Sequence, residues 1–168
     1  DKTLSLGATD DNLFFADAGA AARGRSGHSG RMQKDEAEEL AAALGQQVVA
    51  SRQLAGGFSH ETSLLTLTGG PVVARLGGQD PAIEAAVMAA ARPLVPVPDV
   101  LLVAKGIGER DRPAMVISYV EGTPLSDVLA EAGTPDLAGL GAEVGRVTAG
   151  VAAVRFERPG FFGDAGLE

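Results

Sequence analysis

The sequence predicts an α+β domain: a five-stranded antiparallel sheet with one packed helix, followed by a hinge and linker helices. Three observations carry this. From Met32 onward the element order reads helix, strand, strand, strand, helix, strand, strand, hinge, helix, helix. The early strands are joined by links too short for a parallel crossover, which needs a dozen or more residues. A single helical segment separates the third strand from the fourth, enough to cover one face of a sheet. At 168 residues the chain suits one domain with a sizeable core.

Taken in order, residues 1–31 differ from the rest. The stretch 18–30 consists mostly of Ala, Gly, Ser and Arg without apolar periodicity, so it has little to bury against its ordering entropy. Residues 1–31 are expected to be a disordered leader or cloning remnant, with Met32 as the natural start. Residues 33–44, QKDEAEELAAAL, are strong helix formers with acids in the first turns, where the helix dipole favours them. Residues 46–54 read as a first strand leading into Gly56-Gly57. A hairpin follows to Leu76, with the turn signal Thr68-Gly69-Gly70-Pro71 between its arms.

Asp80-Pro81 suits an N-cap with proline at the first helical position. Residues 82–92 then form an amphipathic helix with Ile83, Val87 and Ala90 on its apolar face. The prolines of Val95-Pro96-Val97-Pro98 impose an extended path. A short strand is expected at 100–104, a polar turn at 105–112 and a buried strand at 114–120. Glu121-Gly122-Thr123-Pro124 breaks that strand and hands over to helices at 125–132 and 136–154, the second weakened by glycines.

Composition narrows the function. The net charge is −8 and the bases are scattered, which argues against a nucleic-acid surface. There is no cysteine, so disulfides, thiolate chemistry and cysteine-held metals are excluded. No apolar run approaches the roughly 20 residues of a membrane helix, and no signal-peptide pattern opens the chain. The expectation is a cytoplasmic protein without nucleic-acid or membrane partners.

The chemistry-bearing stretch is QLAGGFSHETSLLTLTGGPVVARL, residues 53–76. A hairpin with a glycine loop on one strand and a cation, Arg75, on the other can cradle phosphate, because loop N–H groups and a nearby charge both favour an anion. The same residues are equally compatible with an ordinary hairpin and a glycine-rich bend. Glu84, one residue beyond Ile83, can sit at the edge of the buried helix face or simply be solvated.

These segments, in this order, resemble the N-terminal lobe of the aminoglycoside phosphotransferase family, within the protein-kinase-like fold. The motifs that carry the resemblance are GGFSHETSLL, VVARL, Glu84 on the next helix, VPVPDVLLV, AMVISYVEGTPL and VRFERPGFFG. Residues 32–120 would be the nucleotide-binding lobe. Residues 121–168 would be the hinge, the linker helices and the start of a C-terminal lobe. The resemblance implies that Gly56, Gly57, Phe58, Ser59 and His60 cover the triphosphate of ATP (or GTP). Arg75 would contact its α- and β-phosphates, with Glu84 pairing to hold Arg75 in place. The backbone of Ser118 and Val120 would meet the adenine edge, with Ile117 at the gate. His60 stands where the family often has Asn, and the resemblance implies no specific role for it.

Phosphoryl transfer also needs an Asp beside the acceptor hydroxyl, and an Asn and a second Asp to hold magnesium. The family carries these on a His-Gly-Asp-type loop and downstream of it. In this sequence the only asparagine is Asn12 and the histidines are His28 and His60, all upstream of the hinge. Asp127, Asp136 and Asp164 follow the hinge, but none stands in such a loop. The expectation is therefore a fragment of a longer kinase or a truncated gene product, with no catalytic or metal-binding residue and no turnover of its own. Magnesium and a hydroxylated small-molecule acceptor would belong to the complete parent. The alternative is a non-catalytic, self-associating or partner-binding domain, a homodimer through Val144, Val147, Val151, Val154 and Phe156.

Overall fold

The structure is a computed structural model that describes residues 31–54, 60–130, 136–158 and 160–167. Helix α1 (Lys34–Ala43) leads to strands β1 (Val48–Gln53), β2 (Glu61–Leu67) and β3 (Gly70–Leu76). Helix α2 (Pro81–Ala91) follows, then β4 (Val100–Ile107), β5 (Arg112–Ser118), α3 (Leu125–Ala130) and α4 (Leu137–Ala153). Every strand pair is antiparallel and the sheet order is β1-β2-β3-β5-β4. The expected α+β class and strand count are borne out. The expectations for residues 1–30 lie outside the described residues.

Strand side chains alternate between faces. Strand β3 sends Val72, Ala74 and Leu76 to one face, where they join Leu65, Leu67, Ala114 and Val116 in a buried cluster. Val73 goes to the other face, with Leu54, Met115 and Ile117. The hairpin between β2 and β3 is a two-residue link, with Leu67 opposite Gly70. Pro71 pairs only with Thr66 of β2, because the β5 partners begin at Val72. A residue without an N–H is tolerated there.

Both faces carry a helix, which adds to the single packed helix expected. Helix α1 places Ala37, Leu40 and Ala41 against the first cluster, the i, i+3, i+4 spacing of a buried stripe. Glu36 lies fully buried beside them, at 0% exposure, inside an ionic cluster with Arg110, Arg112 and Glu61. Helix α2 covers the second face through Ala85 and Met88. The expected contact stripe, Ile83, Val87 and Ala90, is only half-buried. On this helix Glu84 pairs with Arg75 of β3, and Ala85 and Met88 pack on the sheet.

The polar turn expected at 105–112 is shorter. Strand β4 continues to Ile107 and β5 begins at Arg112. Ala104 pairs with Ala114 and Ile107 with Arg112, so β4 holds one extra residue, a bulge around Lys105-Gly106. Side chains on this edge strand alternate between half-buried and exposed, but Gly106 and Gly108 among charged residues give the stretch the look of a loop in sequence. Helix α4 passes close to the segment after α2. A Cβ on Gly150 would lie 2.6 Å from Val95 Cγ1 and 2.8 Å from the Leu94 carbonyl oxygen, so this glycine permits the approach.

Candidate functional site

Arg75 is the penultimate residue of β3, on the α2 face, with Thr62 of β2 and Met115 of β5 as its cross-strand neighbours. Two residues earlier on the same face, Val73 lies between Leu64 and Ile117. An apolar strip of Leu54, Val73 and Ile117 therefore runs from the cation toward the end of β5.

Beyond Leu76 the chain turns through Gly77 and Gly78, both at φ +81°, a backbone region open to glycine. The Gly77 N–H donates to the Pro113 carbonyl at 2.8 Å, which ties the turn to β5. The Asp80 carboxylate then accepts from the Ala82 N–H at 2.9 Å and caps α2, with Pro81 at its first position. This start aims the first turn of α2 back over β3, and Glu84 forms an ion pair with the Arg75 guanidinium. Their side chains are 25% and 31% exposed, so the pair is partly shielded from solvent. Glu84 is not a solvated helix acid. Its place in the first turn also suits the helix dipole.

His60 completes a trio. Its Nδ1 lies 3.2 Å from Arg75 Nη2 and its Nε2 lies 3.8 Å from Glu84 Oε2. Burial, and then the Arg75 charge, lower the His60 pKa below its ordinary 6.5 against an opposing pull from Glu84. The neutral imidazole is thus favoured over the charged one.

At the other end of the strip, Ile117 is buried in the α2-side cluster. Ser118 is the last residue of β5, which ends two residues before the strand end expected at Val120. The Ser118 N–H donates to the Asp99 carbonyl at 2.8 Å, and its hydroxyl accepts from the Asp99 N–H at 2.9 Å. The amide N–H of Ser118 is therefore engaged within the protein. Val120 is half-buried in irregular backbone.

Of the sequence-derived site residues, the structure brings His60, Arg75 and Glu84 together. It sets Ile117 on the same face, with Ser118 and Val120 beyond it. Gly56, Gly57, Phe58 and Ser59 lie outside the described residues. The apolar strip residues Leu54 and Val73 were missed. Counting back by two from Arg75 along the strand would have found Val73. A separate cavity of about 500 Å³, lined by residues including Arg155, Phe156, Arg158 and Phe162, shares no residue with this trio. Among the described residues no three acidic or histidine side chains gather as a metal site. No helix among them is long and apolar enough to cross a membrane.

No curated protein matches the chain closely enough to count as a relative. The family comparison does match: residues 50–168 fit the phosphotransferase enzyme family, APH. The matched span begins within β1 and includes the trio, the strip and the segment after β5, leaving residues 1–49, with α1 and the first two residues of β1, outside. The chain belongs to the phosphotransferase enzyme family.

Proposed function

We propose that this chain is the nucleotide-binding lobe of a small-molecule phosphotransferase whose complete form moves the γ-phosphoryl group of ATP (or GTP) to an acceptor hydroxyl. One observation carries the reading. A glutamate-held arginine stands at one end of an apolar strip, and a hinge backbone stands at the other. That order of charge, apolar surface and backbone suits a purine nucleotide, with its base against Leu54, Val73 and Ile117 and its phosphates near Arg75. The planar guanidinium fork is matched to phosphate oxygens. The Ser118 carbonyl and the Val120 N–H are suited to the adenine edge.

Within this reading Glu84 orients Arg75, and the glycine-containing stretch from Gly56 to His60 covers the phosphates. The described residues offer no donor set for magnesium, so no step is assigned to the metal in this chain.

Equilibrium titration of the 168-residue chain with ATP and with adenosine tests the proposal. ATP is expected to bind about tenfold or more tighter than adenosine, the worth of a charge-assisted contact, and Arg75→Met is expected to abolish that advantage. Equal affinities for the two ligands in the unsubstituted chain would refute it.

A second reading, self-association, is favoured by the exposure of Leu137, Val144 and Val151 on α4 and of Phe156 beyond it. Light scattering separates the two. A monomer that binds ATP supports the first, and a dimer indifferent to ATP supports the second.

A further inference from the structure

We propose that His60 is a positioning residue for Arg75: its neutral imidazole accepts a hydrogen bond at Nδ1 from the guanidinium and turns its Nε2–H toward Glu84, closing a three-membered ring that aims Arg75 at the phosphates. The inference rests on the reading of Arg75 as the phosphate-binding cation.

The chemistry of the partners dictates the tautomer. Arginine has five N–H donors and no acceptor, so the 3.2 Å approach of Arg75 Nη2 to His60 Nδ1 is a hydrogen bond only if Nδ1 is unprotonated. The ring proton of the neutral form then sits on Nε2, which faces the Glu84 carboxylate at 3.8 Å. The charged groups acting on the ring are Arg75 from β3 and Glu84 from α2. The loop between β3 and α2 presents the backbone of Gly78, against which the ring lies so closely that a Cβ there would collide with it. The imidazole is thereby confined by three elements of structure, and it is 21% exposed.

A second proton on His60 would undo this arrangement. Nδ1–H would point at a guanidinium N–H, and the imidazolium would compete with Arg75 for Glu84. The lowered pKa of His60, caused first by burial and then by Arg75, agrees with a site built for the neutral ring. Arg75 keeps its aim above the titration of His60 and loses it below.

The test has two parts. Long-range ¹H–¹⁵N spectra of the 168-residue chain carrying His28→Ala leave His60 as the only ring. They are expected to show the Nε2–H tautomer, and Arg75→Ala is expected to raise the ring's midpoint. An Nδ1–H tautomer, or a midpoint indifferent to Arg75→Ala, would overturn the proposal. ATP titration supplies the second part. His60→Ala is expected to weaken ATP about tenfold, while His60→Asn, whose amide oxygen can replace Nδ1 as acceptor, recovers most of the loss. Titration of the ATP phosphate is common to both chains, so the ratio of unsubstituted to His60→Asn affinity isolates the ring. That ratio is expected to fall as the pH drops from about 7.5 to about 5. A flat ratio, or one that rises because the imidazolium itself binds phosphate, overturns the proposal. If Arg75→Ala weakens ATP and His60→Ala does not, this inference alone fails. If Arg75→Ala leaves ATP binding unchanged, the phosphate reading fails with it.

Discussion

Arg112 on β5 grips Glu36 on α1 with both arms of its fork, Nε donating to Oε1 at 3.0 Å and Nη2 to Oε2 at 2.8 Å. The same carboxylate accepts from Arg110 Nη2 and from the Gln33 N–H, each at 2.8 Å. The remaining Arg112 nitrogen, Nη1, donates to Glu61 at 2.8 Å, and Glu61 also accepts from the Met32 N–H. Helix α1 lies outside the family-matched span, yet this cluster binds it to β2 and to the β4–β5 turn. Removing Glu36 takes the shared carboxylate from Arg110 and Arg112, leaving Arg112 with Glu61, and breaking a buried pair in this way typically costs about 3–5 kcal/mol. Glu36→Ala is expected to lower urea-unfolding stability by roughly that amount. A loss below about 1 kcal/mol would mean that the cluster behaves like a surface pair.

The same carboxylate sets an acid limit. Burial alone would raise its pKa, but hydrogen bonds from Arg112, the Gln33 N–H and Arg110 overcome this and hold it below the ordinary 4.5. The folded chain therefore releases this proton more readily than the unfolded chain. The linked stabilisation is complete above 4.5 and is lost as the pH falls through the folded value. Denaturation midpoints measured from neutral pH downward are expected to drop in that acid window, and Glu36→Gln is expected to flatten the drop.

The strand bearing Arg75 and the helix bearing Glu84 were legible because each depends on short-range pattern, strand alternation and a helix start at Asp80-Pro81, whereas the end of β5 falls at Ser118, two residues before the strand end expected at Val120. Sequence reasoning foresaw neither the ionic attachment of α1 nor the approach of His60 to Arg75. Glu36 looks like any acid in a first helical turn, and its burial depends on Arg110 and Arg112, more than 70 residues away. His60 follows a glycine pair whose path local pattern does not fix, so its approach to Arg75 could be seen only in three dimensions. The strand through Lys105 and Gly106 was hidden because Gly106 and Gly108 among charged residues read as a turn, although the strand's alternation of half-buried and exposed positions continues through them.

Gly78 offers a backbone test of the trio. An alanine at φ +81° carries strain of about 1–2 kcal/mol, and its Cβ would push the His60 ring aside. Gly78→Ala is expected to cost stability by that amount and to weaken ATP as His60→Ala does. A fully stable variant with unchanged ATP affinity would show that the ring is free to move.

The hinge entrance is held more lightly. Ser118 and Asp99 exchange two hydrogen bonds, and Arg92 Nη1 reaches Asp99 at 2.5 Å while its Nη2 donates to the Pro98 carbonyl at 2.8 Å. Ser118→Ala removes one neutral bond and is expected to cost about 1 kcal/mol. Arg92→Ala breaks a largely exposed pair and is expected to cost no more than about 1 kcal/mol. Chemical denaturation of both variants checks the ranking, and a much larger loss for Arg92→Ala would assign that pair a structural role its exposure does not support.

The central claim, that a nucleotide lies along the strip from Arg75 to the hinge, is tested most directly by mapping amide shifts of the ¹⁵N-labelled chain on addition of ATP. The account predicts that the perturbed amides cluster at Leu54, His60, Val73 to Gly78, and Ser118 to Val120, and that Arg75→Met abolishes those nearest the phosphates. Perturbations confined to α4 and the segment from Arg155 to Leu167, with the β3–hinge strip unmoved, would contradict it.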